Sequence, residues 1–292
     1  MTLRPYRSIL FVPGHRASWA EKAAASGADA VVLDLEDSVP DGEKAAARAV
    51  VAASVARLRS AHPQLAIGVR VNPLATGLAG ADLEEIVLPG LDFVFAPKLT
   101  GPSDVIRFDA LLDHFERRNG VTGLDLFVPA ETVAAIQHCE AIATGPRVAA
   151  MVGPTAEHAD ITRAVGFEWT PEGEETLYLR SRVLLACRGA GIHPVTGLWE
   201  RLDDLDGLRT FATRGRRLGF RGMIAIHPRH VPVINEVFGP SAEQLAFHSG
   251  LIAAYEKAVA DGAGAVRYEG AHVDRAHYET AREWLALHGG ER

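Results

Sequence analysis

The sequence predicts an α/β protein, a (β/α)8 barrel followed by a C-terminal helical lid extension. Three observations lead there. Eight short apolar runs alternate with longer stretches rich in Ala, Leu, Glu and Arg. The runs are continuous rather than alternately polar, as strands covered on both faces are. And 292 residues, long for one ordinary core, is a normal length for this barrel. An open doubly wound sheet would normally show a Gly-rich first turn; "FVPGHRAS" has one Gly and no GxGxxG.

The elements follow in order. "SILFVPG" (8–14) is the first strand, and "ASWAEKAAASG" its helix. "AVVLDLED" (30–37) is the second, followed by the long helical run "GEKAAARAVVAASVARLRSA". Then come "AIGVRVN" (66–72), "FVFAPKL" (93–99), "LDLFVPAE" (124–131) and "RVAAMVG" (147–153). After the helical "EGEETLYLRSRVLLACRGAG", strands "GIHPVTG" (191–197) and "GMIAIHP" (222–228) complete eight. The barrel domain therefore spans residues 1–239, and 240–292 is an appendage. The latter reads as helix ("SAEQLAFHSGLIAAYEKAVADG"), a break ("GAVRYEGAHVD") and helix again ("RAHYETAREWLALHG"). Lying after the last strand, it is placed to act as a lid.

Composition limits the partners. With 48% apolar residues, a large core is available. Net charge is −7 and no block of like charge stands out, which argues against nucleic acid. A small anionic ligand stays open, because a few Arg can cluster in an acidic protein. Cys139 and Cys187 lie in helix-like segments with no CxxC, so a reducing cytoplasm is expected. The N-terminal apolar run is too short for a signal peptide, and no stretch approaches the roughly 18 residues of a membrane span.

In such a barrel the chemistry sits where strands end. The first run ends in Arg16; the second in Asp34, Glu36 and Asp37; the third in Arg70 and Asn72. The fourth offers Lys98, the fifth Glu131, the sixth Glu157 and Asp160, the eighth His227. One terminal acid is usually a helix cap. A ring of acids with several cations suits hard oxygen ligation of Mg²⁺ and a substrate rich in carboxylate or carbonyl oxygen. No HExxH or GxSxG is present, so zinc and serine hydrolases lack support. Each residue also has a plain structural alternative. Glu131 and Asp160 would cap helices, Arg70 would pair with Asp34 or Glu36, and Glu36 and Asp37 would pair with Arg70 or Lys98. Arg16 and Lys22 would lie on a solvated face, and Asp274 in a surface turn. His227 reads as a structural hydrogen-bonding group, and Trp19, Trp169, Trp199 and Trp284 as packing.

"RSILFVPGHR", "GADAVVLDLEDSVPDGEKAAAR", "VRVNPLATG", "APKL", "AET" and "GFRGMIAIHPRHVPVINEVFGPS", in that order, resemble the HpcH/HpaI aldolase superfamily. The closer likeness is to its citrate lyase β-subunit-like branch of CoA-ester lyases, and the tail "GAGAVRYEGAHVDRAHYETAR" shares it. The resemblance implies a Mg²⁺-dependent (Mn²⁺ also possible) carbon–carbon lyase acting on citryl-, malyl- or citramalyl-CoA. Its partners would be an acyl-CoA thioester and a small keto acid, and its assembly a homotrimer or hexamer. It implies Glu131 and Asp160 as metal acids, with Glu36 and Asp37 holding metal-bound water. Counting forward from Gly153 the second acid would fall at Ala156 or Glu157; the downstream register "DITRAVG" selects Asp160. Arg70 matches the substrate-clamping arginine, Arg16 and Lys22 the CoA-contacting cations, with Lys98 also at the substrate. Asp274 matches a tail acid that serves a neighbouring subunit as acid/base. The alternatives are a class II-type aldolase on a free hydroxy-keto acid, and a subunit that only binds acyl carriers.

Overall fold

The computed structural model describes residues 6–288. Its strands are β1 (Ser8–Pro13), β2 (Ala30–Asp34), β3 (Ala66–Arg70), β4 (Phe93–Phe95), β5 (Asp125–Pro129), β6 (Val148–Gly153), β7 (His193–Thr196) and β8 (Gly222–Ala225). All pair in parallel and in sequence order, and β1 pairs with β8, so the sheet closes into a barrel. Around it lie α1 (Ala17–Ala24), α2 (Lys44–Ala61), α3 (Ala79–Ile86), α4 (Pro102–Asn119), α5 (Val133–Gln137), α6 (Cys139–Ala143), α7 (Asp160–Val165), α8 (Leu177–Ala190), α9 (Leu205–Leu218) and α10 (Val231–Phe238). The expected (β/α)8 barrel is the observed fold.

Strand parity decides what faces inward. Side chains alternate across a strand. Ile9, Ala30, Val32, Ala66, Phe93, Phe95, Phe127, Ala150, Val152, Val195 and Ile224 form one buried cluster, the barrel interior. Phe93 and Phe127 stack there with centroids 4.0 Å apart. The opposite parity, Leu10, Val31, Leu33, Ile67, Val69, Leu126 and Met151, packs outward in the layer beneath the helices. Counting by two from the interior residues brings Asp34, Arg70 and Glu131 inward at the C-terminal rim. Their positions are thus a consequence of register.

Helix ends are set by local chemistry. Pro102 opens α4, and Gly120, at φ 66°, ends it in the left-handed region. Asp204 caps α9 through Gly207 N at 2.9 Å. The fourth strand is shorter than the run "FVFAPKL" suggests. Lys98 turns the chain at φ 54°, a conformation costly for a non-glycine residue.

The chain divides into two compact units, Met1–Phe238 and Gly239–Arg292. In the second, α11 (Ala242–Ala260) begins with a full capping box, in which Ser241 and Gln244 bond each other's backbone. A hairpin follows, β9 (Val266–Tyr268) and β10 (Ala271–Val273). Its turn residues Glu269 and Gly270 both have positive φ, as a tight two-residue turn requires. Then α12 (Arg275–His288) completes it, and Leu251, Tyr255, Val273 and Ala281 form its core.

Candidate active site

A cavity of about 340 Å³ opens at the C-terminal ends of the strands. Phe11, Phe95, Val152, Leu198 and Ile224 make it largely apolar, and Asp34, Arg70 and Glu131 bring charge into it. Trp19 also lines it and is 52% exposed. That corrects its reading as a packing residue: α1 buries Ala20 and Ala23, which leaves Trp19 off the core face.

Arg70 is held rigidly. Its Nε and Nη2 donate to the two oxygens of Asp34, each at 2.7 Å. Its Nη1 lies 3.0 Å from Glu36 Oε2. Burial works against the charge of Arg70, but the Asp34 hydrogen bonds and charge, then Glu36 and Glu131, more than offset it and hold the proton more firmly than usual. Burial would likewise raise Asp34; Arg70, the Ser38 hydroxyl and the Glu36 N–H outweigh it and pull this carboxyl below its ordinary range.

Glu36 sits between the two cations, with Lys98 Nζ 2.8 Å from its Oε1. Both contacts are close ion pairs, yet neither has the alignment of a hydrogen bond. Burial dominates, only partly offset by Arg70 and Lys98, and the Glu36 pKa rises. Lys98 Nζ also lies 3.1 Å from Asp37 Oδ1 and 3.2 Å from Asp160 Oδ2. Burial opposes its charge, but Glu36, then Asp37 and Asp160, raise its pKa.

Glu131 is the least compensated acid. Its Oε1 accepts a 2.7 Å hydrogen bond from Lys98 N. Burial first, and the charge of Glu36 second, push its pKa up to about 7 against the pull of Arg70 and Lys98. Lys98 thus touches both acids assigned to a metal, Glu131 through its main chain and Asp160 through its side chain.

The remaining expectations fall as follows. Asp160 opens α7, and Arg163 Nη2 holds its Oδ1. Of the two other positions for that acid, Ala156 lines the cavity, whereas Glu157 lies 3.6 Å from Arg201. Arg16 is exposed at the N-cap of α1, on the rim. Lys22 is exposed in the last turn of that helix, about 9 Å further along its axis. His227 Nδ1 accepts from Arg229 N at 3.2 Å, a capping role. Asp274, in the second unit, caps α12: its Oδ1 accepts from Ala276 N at 3.0 Å and pairs with His277 Nδ1 at 2.7 Å. Sequence reasoning listed Asp34 at a strand end and as a partner for Arg70 but gave it no role in the site. Its parity with Ala30 and Val32 was the available signal.

Arg70 and Glu131 line one cavity at the C-terminal ends of a closed parallel barrel, the place where enzymes of this fold do their chemistry. The model of the HpcH/HpaI aldolase/citrate lyase family matches residues 7–228, and the chain belongs to that family; it is a carbon–carbon lyase. It is 36% identical over 300 residues to an L-malyl-CoA/beta-methylmalyl-CoA lyase of Cereibacter sphaeroides, covering 95% of this chain and 93% of the relative. It is 33% identical over 282 residues to a (3S)-malyl-CoA thioesterase of the same species, covering 97% and 94%. Among solved structures it resembles the protein CitE from Mycobacterium tuberculosis in complex with magnesium and acetoacetate. There the TM-score is 0.65 and the identity 25%, over 82% of this chain and 94% of that one.

Proposed function

We propose that this chain cleaves, or in reverse forms, the C–C bond between an acetyl-CoA enolate and a keto acid, in a 3-hydroxyacyl-CoA of the malyl, citramalyl or citryl type. The observation that carries the reading is Arg70, locked by Asp34 into a cavity that also holds the raised-pKa Glu131. Relatives at 33% and 36% identity, both named for malyl-CoA, support the CoA ester.

In cleavage a base takes the β-hydroxyl proton, the C–C bond breaks, its electron pair becomes the enolate of acetyl-CoA, and the hydroxyl carbon becomes the keto carbon. The planar fork of Arg70 suits the carboxylate or keto oxygen of that product. Asp274 of a neighbouring protomer is assigned the proton transfer. Arg16 and Lys22, exposed cations of the first loop and helix, and Lys98 are assigned to the anionic substrate.

The residues fit a divalent cation. Five carboxylates (Asp34, Glu36, Asp37, Glu131, Asp160) gather around three cations (Arg70, Lys98, Arg163), an excess of two negative charges when all are ionised. All the acids offer hard oxygen, which suits Mg²⁺ and also Mn²⁺. Glu131 and Asp160 would hold the ion, with Glu36 and Asp37 beside them. Such an ion supplies positive charge where oxygens become negative during the reaction.

Two buried free cysteines agree with a reducing, cytoplasmic setting, and no helix among the described residues is long and apolar enough to cross a membrane. Thioester hydrolysis is the second reading, favoured by the thioesterase relative. A panel of malyl-, citramalyl- and citryl-CoA with Mg²⁺, assayed for released keto acid, tests the proposal. Arg70→Lys should lose at least 100-fold in turnover while staying folded, since one ammonium cannot reproduce a two-pronged grip. Unchanged kinetics in that variant would remove Arg70 from the mechanism.

A further inference from the structure

The ion pairs around the cavity are unevenly shared. Asp34 has both oxygens on Arg70. Asp160 has both oxygens on cations too, Oδ2 on Lys98 at 3.2 Å and Oδ1 on Arg163. Among the described residues Glu131 has no ion pair within 4 Å and keeps one oxygen on the Lys98 N–H. A divalent ion can therefore reach Glu131 without displacing a cation, but can reach Asp160 only by displacing one. One of these two cations, Lys98, is no free surface group. Lys98 is held at a backbone angle of φ 54°, which its N–H bond to Glu131 and its contacts with Glu36 and Asp37 sustain. Strain kept at such a point is usually there for a function.

We propose that Lys98 is an internal counter-cation that competes with the divalent metal for Asp160, so that the free enzyme holds the metal weakly and retains it together with a keto acid. The inference rests on the reading of Glu131 and Asp160 as the metal acids. Its chemistry is an exchange of partners. A 2-keto acid brings a carboxylate to which the released ammonium can turn. It also brings two oxygens on adjacent carbons, which supply the ligands that one free protein carboxylate cannot. Mg²⁺ and Mn²⁺ commonly complete their shells in this way. Metal and keto acid then favour each other's binding by the same factor.

Mn²⁺ binding, followed by loss of the free-ion electron paramagnetic resonance signal, reads this without turnover. Wild type should bind Mn²⁺ at least tenfold more tightly with pyruvate or glyoxylate present. Lys98→Met should bind it at least tenfold more tightly than wild type without any keto acid, and Lys98→Met/Asp160→Asn should lose that gain. Arg163→Gln changes an exposed side chain, leaves the barrel intact and frees the other Asp160 oxygen; a two- to threefold gain is expected there. Mn²⁺ affinity that is unchanged or weaker in both Lys98→Met and Arg163→Gln overturns the competition. Absence of binding in every form, even with keto acid, overturns instead the assignment of Glu131 and Asp160 to a metal.

Discussion

At the scale of single residues, Glu131 carries the sharpest consequence. Its pKa in the folded chain, about 7, lies above the ordinary 4.5, because burial and the neighbouring Glu36 penalise its charge. The folded state therefore binds this proton more tightly than the unfolded state does. Stability should fall as pH rises from about 4.5 through 7, by up to about 3 kcal/mol for this one group. Glu131→Gln removes the titration. In metal-free protein the variant should match wild type in denaturation midpoint at pH 4.5 and exceed it at pH 8. An equal pH dependence in the two would show that Glu131 ionises freely. Arg70 follows the opposite logic: its charge is secured by Asp34, so no change is expected in it at any working pH.

At the scale of elements, register does the organising. The three charged cavity residues share the parity of the interior apolar set: Asp34 and Arg70 end β2 and β3, and Glu131 keeps that parity two residues past β5. A single position in β3 shows how tightly the interior is filled. A Cβ on Gly68 would lie 2.2 Å from the ring of Phe93, which itself stacks on Phe127. Gly68→Ala should cost about 1–3 kcal/mol through overpacking, seen as a lower urea midpoint with the slope kept. A neutral Gly68→Ala would mean the aromatic stack has room to shift. Much of this was legible in the chain, because continuous apolar runs with polar ends are the direct mark of doubly covered parallel strands. Glu131, Arg70, Glu36 and Lys98 could be listed from such ends. The pairs of Arg70 with Asp34 and Glu36, and of Lys98 with Glu36 and Asp37, could be named as well, and they form. The contacts of Lys98 with Asp160 and, through its N–H, with Glu131 could not, because they depend on the path of the chain past the ends of β4, β5 and β6. The early turn at Lys98 was hidden for a similar reason, since nothing in "FVFAPKL" favours a positive φ.

At the scale of the whole molecule, the C-terminal unit folds around its own small core of Leu251, Tyr255, Val273 and Ala281. Its break "YEGAHVD" was legible as a turn between helices, and it forms the β9–β10 hairpin. The capping of α12 by Asp274 was not, because a lone acid before a helix reads equally as cap or as proton carrier. We propose that the unit serves the site of a neighbouring protomer in a trimer or hexamer. Mixing Glu131→Ala with Asp274→Ala then restores some complete sites, and activity should partly return after subunit exchange. Confirmed mixed oligomers without recovery would confine the unit to its own chain or to structure. The central claim, carbon–carbon cleavage of a CoA ester at the Arg70–Glu131 cavity, is met most directly by product stoichiometry. Malyl-CoA or its citramalyl or citryl analogue is incubated with the enzyme and Mg²⁺, and keto acid, acetyl-CoA and free CoA thiol are quantified together. The account predicts keto acid and acetyl-CoA in equal amounts from at least one ester, with negligible thiol, and loss of both products in Glu131→Ala. Free thiol with an intact hydroxy acid and no keto acid, or full activity in Glu131→Ala, would contradict it.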